Sequence, residues 1–176
     1  MVNNFPERID PYKFARIGES LSGEIAVARM NRLGTSLDND SGNVEFDLTF
    51  GRKERARVAT GKFKAEVKMI CQRCLNQVNV PVRGEVQLEF VVVEEGEEPL
   101  ARLEDQGYDT VLVINDSLSL VELIEDEVLL ALPFSPLHEE GVCPDNAIVE
   151  KLQVTNEDPD RPNPFAVLAK LKKDQE

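Results

Sequence analysis

The chain has one histidine, His138, and three cysteines, Cys71, Cys74 and Cys143, in 176 residues. Three thiols cannot all pair within one chain, and disulfides are rare in the cytoplasm, so these cysteines read as metal ligands, redox groups or packing residues. No run of roughly eighteen apolar residues occurs, so no segment is expected to span a membrane. The opening MVNNFPERIDPYKF has neither an apolar signal core nor an Arg/Ser-rich transit pattern, and the expected location is cytoplasmic. There is no GxSxG, no phosphate-binding glycine loop and no HExxH. A catalytic metal would need an open coordination position and a nearby general base, and nothing singles one out. The chain is therefore not expected to be an enzyme.

Hydrophobic residues make up 41% of the chain, enough for a globular core. The formal net charge is −13, which opposes non-specific association with phosphate polymers. The charge is unevenly spread. Residues 51–84 hold nine Lys/Arg against Glu54 and Glu66, a net of +7. Residues 85–160 hold twenty-one Asp/Glu against Arg102 and Lys151, a net of −19. Such blocks either pair internally or present two surfaces of opposite preference.

Asp10 and Pro11 predict the start of a short helix over IDPYKFARIGE, with GEIAVARM ambiguous between strand and helix and NRLGTSLDNDSG a loop. Val44, Phe46, Leu48 and Phe50 alternate with polar residues and predict a strand. Phe63, Ala65, Val67, Met69 and Cys71 predict the inward face of the next, with Gly61 marking a turn or bulge. QVNVPV and GEVQLEFVVV read as two further strands, and DTVLVI as a short one. Ser119 and Glu122 fit a capping box opening the strongest helix, which Pro133 ends. Its apolar stripe is Leu120, Val121, Ile124, Val128, Ala131 and Leu132, with Glu122, Glu125 and Asp126 opposite. Glu127 falls inside the wider apolar arc, as a flank residue reaching solvent or a lysine, or as a partly buried acid at a binding surface. Asn163 caps, and Pro164 opens, a terminal helix whose apolar side carries Phe165, Val167, Leu168 and Leu171.

The expected fold is α+β in a single domain, 1–176, with an antiparallel, meander-like sheet over about 44–93. One main helix (about 119–132) packs on it, followed by a long acidic loop (about 135–162) and a terminal helix (about 164–172).

Cys71 and Cys74 form C-x2-C after a strand, and His138 and Cys143 form H-x4-C. Three thiolates and one imidazole are a common structural zinc set, and one structural zinc ion here would tie the acidic segment to the strand end. Arg73 inside the knuckle would help keep the thiolates deprotonated. A redox dithiol and plain apolar packing of the cysteines remain open.

CQRCL, LVELIEDEVLLALPFSPLHEEGVC and NPFAVLAKLK together resemble the YceD family, the large ribosomal RNA subunit accumulation proteins. The resemblance implies a cytoplasmic bacterial factor needed for large-subunit ribosomal RNA, in its synthesis, processing or stability. It directs attention to the four soft ligands, to Glu125, Asp126 and Glu127, and to Asn163, Pro164 and Phe165 as a partner-binding set. Phosphate contacts need cations, so the RNA-contacting residues expected are Arg52, Lys53, Arg55, Arg57, Lys62, Lys64, Lys68 and Arg73, mostly outward on the sheet. The larger acidic surface suits a basic ribosomal or RNA-processing protein. The alternatives are a metal- or thiol-dependent enzyme acting on RNA, and a pure adaptor that never touches RNA.

Overall fold

The computed structural model describes residues 5–93, 107–139 and 141–143. In chain order the elements are β1 (Arg8–Ile9), α1 (Pro11–Ile17), β2 (Ser20–Ala26), a 3-10 turn (Val27–Arg29) and α2 (Asn31–Gly34). The long strands β3 (Asn43–Lys53), β4 (Ala56–Ile70) and β5 (Gln77–Val92) follow, then β6 (Asp109–Val113), β7 (Leu118–Ser119) and α3 (Leu120–Ala131). The α+β class expected from the sequence is what forms. The expected acidic loop and terminal helix lie almost wholly outside the described residues.

Strands β2 to β6 make one five-stranded sheet in chain order, and β1 pairs with β7 in a separate ribbon. From β2 to β5 the sheet is an antiparallel meander. Strand β6 departs from the wholly antiparallel expectation. It runs parallel to β5, with Leu88 opposite Asp109 and Val92 opposite Val113. A parallel neighbour needs a crossover of about a dozen residues or more, and sixteen separate Val92 from Asp109.

The alternation read in β3 sets the core. Val44, Phe46, Leu48 and Phe50 are buried, and Glu45, Asp47 and Thr49 are exposed. The register puts Phe46 against Phe63 of β4, and β5 adds Val82, Val86, Leu88 and Phe90. Helices α1 and α3 cover this face. Phe14 meets Phe50 edge-on at 5.5 Å, Phe50 stacks on Phe90 at 5.9 Å, and Leu120, Ile124 and Val128 of α3 are fully buried. Burying each such side chain contributes about 1.5–3 kcal/mol.

Two expectations about strand breaks are corrected. Gly61 marks no turn or bulge; it lies mid-strand in β4, opposite Leu48 and Val86. A Cβ there would sit 2.0 Å from the Asp47 carbonyl oxygen, so close approach of the neighbouring backbone is what requires glycine. QVNVPV and GEVQLEFVVV form one strand, with Pro81 opposite Glu66. Strand β6 covers β5 only from Leu88, so β5 has an open side at Pro81, where a missing N–H breaks no ladder.

The ambiguous GEIAVARM resolves into the end of β2 and the 3-10 turn, and the predicted loop begins as α2. Asp10 caps α1 as predicted, its carboxylate accepting from the Lys13 N–H at 2.9 Å. Ser119 caps α3 by accepting from the Glu122 N–H at 3.3 Å.

Candidate metal centre and charged surfaces

The inward alternation of β4 carries Met69 and then Cys71 to the end of the core, where both are buried. The chain then turns tightly. The Cys71 N–H donates to the Asn76 carbonyl and the Leu75 N–H to the Cys71 carbonyl, each at 2.9 Å. Leu75 closes the turn at φ 59°, a left-handed conformation that branched side chains avoid. Beyond α3 the chain returns along this knuckle. The Gln72 N–H donates to the Pro136 carbonyl at 2.9 Å, its side-chain amide donates to the Phe134 carbonyl at 3.2 Å, and the Ser135 hydroxyl donates back at 2.8 Å. These bonds deliver His138 and Cys143 to the two knuckle cysteines.

The four soft ligands meet, with all ligand atoms within 4.8 Å of one another. Cys71 Sγ and Cys143 Sγ are 3.9 Å apart. His138 Nδ1 lies 3.5 Å from Cys74 Sγ and 3.7 Å from Cys143 Sγ. Tetrahedral coordination with bonds of about 2.3 Å to sulfur and 2.0 Å to nitrogen demands separations of roughly 3.5–3.8 Å. The residues fit such an ion. His138 Nε2 lies 3.1 Å from the Gln77 carbonyl oxygen. A proton there leaves the Nδ1 lone pair facing the sulfurs, the usual way a ligating imidazole is oriented.

Burial opposes the Cys71 thiolate, yet hydrogen bonds from the Cys74, His138 and Arg73 amides bring its pKa down to about 5. The Arg73 N–H, at 3.4 Å, is its contribution to the expected thiolate stabilisation. Burial pushes Cys143 up to about 11, aided by its hydrogen bonds with Cys74 and Cys71 and by repulsion from their thiolates. A divalent cation is the group that would let all three sulfurs ionise together.

The basic residues divide between two faces. Lys62 stands outward between Asp47 and Glu85, and Lys64 between Glu45 and Arg83, with Lys64 Nζ 2.8 Å from the Glu45 carboxylate. Arg83 is the one other cation in those two rows. Lys68 is outward and partly covered, and Arg55 lies at the β3–β4 turn. Lys53 reaches over the Tyr108 ring at 4.8 Å. Arg52 and Arg57 differ from the outward expectation. They pair with each other two residues beyond the inward pair Phe50–Ala59, so they project on the helix-bearing face, and Arg57 lies 5.7 Å from the Tyr12 ring centroid.

Among the acids of α3, Glu125 is not on the wet side as expected; it is 3% exposed. Its carboxylate accepts from the backbone N–H groups of Arg32 and Leu33 at 2.7 and 3.0 Å. It also accepts from Arg32 Nε and Nη2 at 3.1 and 3.0 Å. It therefore caps α2 from another part of the chain, which is why a helical turn forms where the sequence reads as loop. Asp126 stays half-exposed and takes Arg32 Nη1 at 2.5 Å, and this bond, with Glu125 helping against burial, raises the guanidinium pKa. Glu127 is half-buried, and burial first, then Asp109 and Asp126, raises its carboxyl above the ordinary range. Asn163, Pro164 and Phe165 lie outside the described residues. Sequence reasoning missed Arg32, because an arginine in a turn-rich stretch carries no local signal.

No helix among the described residues is long and apolar enough to cross a membrane. A family model described as "Large ribosomal RNA subunit accumulation protein YceD" matches residues 59–172. A Haemophilus influenzae protein named "Large ribosomal RNA subunit accumulation protein YceD" is 31% identical over 176 residues, covering 95% of each chain. No solved structure matches the chain significantly.

Proposed function

We propose, since this chain belongs to the YceD family, that it promotes the accumulation of large-subunit ribosomal RNA as a non-enzymatic cytoplasmic factor in ribosome biogenesis. The observation that carries this reading is the match to a relative of that name along 95% of both chains. The accumulation can be served at synthesis, processing or stability of the RNA or its precursor.

In this reading the metal is zinc, held by Cys71, Cys74, His138 and Cys143. When bound, it supplies a cross-link between the β4–β5 turn and the chain after α3. Four protein ligands fill a tetrahedral ion and leave no position for a substrate, which favours a structural ion over a catalytic one. The acidic stretch 85–160 offers a surface to a basic ribosomal or RNA-processing protein, with Asp126, Glu127 and the Asn163–Pro164–Phe165 segment as partner contacts. Glu125 supports that surface by fixing α3 to α2. Cations within 52–73 that are not paired with acids supply accessory RNA contact.

The test is deletion of the gene and measurement of large- against small-subunit ribosomal RNA. A fall in the ratio, restored by the intact chain, is expected, and an unchanged ratio in every growth condition removes the reading. A pure protein adaptor is the rival, favoured by the ion pairing of Lys64 with Glu45. Crosslinking in cells separates the two, since recovery of large-subunit RNA through residues 52–73 excludes the adaptor.

A further inference from the structure

Beside its turn the β3–β4 ladder carries an arrangement that a fold alone would avoid. Arg52 stands directly opposite Arg57. Like charges in that position destabilise a ladder. They occupy the row after Phe50 and Ala59, so the core face of the sheet continues into two guanidinium groups. Across from them, α1 presents Lys13 and Arg16, three residues apart and thus neighbours on the helix surface. These four cations and Tyr12 line one cleft of about 390 Å³.

Three cations outside this cleft are ion-paired. Arg29 pairs with Glu7, Arg32 with Glu125 and Asp126, and Lys64 with Glu45. Among the described residues, Lys13, Arg16, Arg52 and Arg57 make no ion pair, in a chain with 33 acids and 20 Lys/Arg. Two carboxylates also line the cleft, Asp10 and Asp116, leaving it at +2. The Asp10 carboxylate is engaged as the cap of α1. The cleft is also held in shape. The Tyr12 hydroxyl donates to the Phe90 carbonyl at 3.2 Å and accepts from the Val92 N–H at 3.3 Å, which fixes the ring beneath Arg57. The Arg57 guanidinium itself donates to the Arg55 carbonyl at 2.9 Å.

We propose that this cleft, between α1 and the β3–β4 hairpin, seats the phosphodiester backbone of RNA. The proposal rests on the reading of ribosomal RNA as a partner and says where the RNA lies. Paired guanidinium forks suit the planar, multidentate recognition of phosphate oxygens, and the two cations on α1 close the opposite wall. Lys13 and Arg16, outside the basic block of the sequence, become part of the RNA surface. Lys62 and Lys64, inside that block, do not, because each stands opposite an acid across the ladder and Lys64 is ion-paired with Glu45.

Fluorescence anisotropy with a labelled oligouridylate, over a salt series, tests the assignment. The variants are Lys13→Glu/Arg16→Glu, Arg52→Gln/Arg57→Gln and Lys62→Gln/Lys64→Gln, each checked by thermal melting. Each cleft double variant is expected to weaken binding about tenfold or more, and to flatten the salt slope by roughly 0.7 for every phosphate it no longer neutralises. The Lys62/Lys64 variant is expected to stay within about twofold of the unaltered protein on the same logic. Removing the Arg52–Arg57 repulsion is not expected to lower the melting temperature, so weaker binding there is not a failure to fold. If the cleft variants bind as the unaltered chain does while the Lys62/Lys64 variant fails, the cleft is wrong and the RNA reading stands. Polyglutamate bound as tightly as the oligouridylate overturns the phosphate assignment. An unaltered protein that binds no RNA at low salt overturns both the cleft and RNA binding itself.

Discussion

Two clasps fasten α3 and the chain after it to distant segments, one hard and one soft in its chemistry. The hard clasp joins Glu125 and Asp126 to Arg32 and to the amides of α2. The soft clasp joins Cys71 and Cys74 to His138 and Cys143. The hard clasp is complete as it stands. A buried carboxylate there has four donors, and no buried polar side-chain atom among the described residues is without a partner. The soft clasp places three sulfurs together, and burial and its sulfur neighbours hold the Cys143 thiol up, an effect a bound cation would reverse. The first should therefore depend on one residue's carboxylate, and the second on metal supply.

The largest expected effect tests that division. Chelation of zinc-loaded protein, or Cys74→Ser, should lower stability by at least about 4 kcal/mol where free metal exceeds its dissociation constant a thousandfold. Hydrogen exchange should open the amides of residues 71–77 while the Arg32 and Leu33 amides stay protected. Equal melting temperatures with and without chelator would remove the soft clasp from the comparison.

Next in size is Glu125→Ala. It leaves two amides and a guanidinium without their shared acceptor, and should cost about 3 kcal/mol in denaturant unfolding. Arg32→Ala should cost only about 1 kcal/mol, because the Arg32 side chain is 53% exposed and the carboxylate keeps its backbone donors. Equal losses would mean that the ion pair, not the cap, holds α2.

The two clasps also differ in how far the sequence shows them. Cysteine and histidine are scarce here, so Cys71, Cys74, His138 and Cys143 stand out at once, and their meeting needs only that both clusters lie in turns. Glutamate and arginine are common, and the helical periodicity of α3 places Glu125 beside Asp126 on the wet side. Nothing local says that a turn of helix 93 residues away will supply its donors. Strand faces are legible from alternation in β3 and β4, because period two survives any arrangement of neighbours. The direction of β6 and the unbroken run through Pro81 depend on which strand lies alongside, and no local pattern carries that information.

Within the soft clasp, Leu75 is 75% exposed and held at φ 59°. The turn, not packing, dictates this backbone, and glycine adopts it without strain. Leu75→Gly should stabilise the folded protein by about 1 kcal/mol. A loss of stability would show that the leucine side chain contributes more than its exposure indicates.

The smallest effect sharpens the hard clasp by its neighbour. Glu127 lies two residues from Glu125, is half-buried, and has no ion pair among the described residues. Its carboxyl titrates above the ordinary range in the folded state because burial, and then Asp109 and Asp126, disfavour its charge. The folded state therefore holds this proton more tightly than the unfolded chain does. Its favourable contribution is complete below the unfolded glutamate pKa and is lost as pH rises through the raised folded value. Glu127→Gln should raise the melting temperature slightly at neutral pH, and that advantage should vanish in acid. At Glu125 the same substitution should lower stability at neutral pH, because a carboxylate with four donors is what α2 requires. Two glutamates separated by a single residue thus should respond in opposite directions to the same change. If Glu127→Gln instead destabilised the protein at neutral pH, a cation would have to face it in the folded state, and α3 would carry a second clasp.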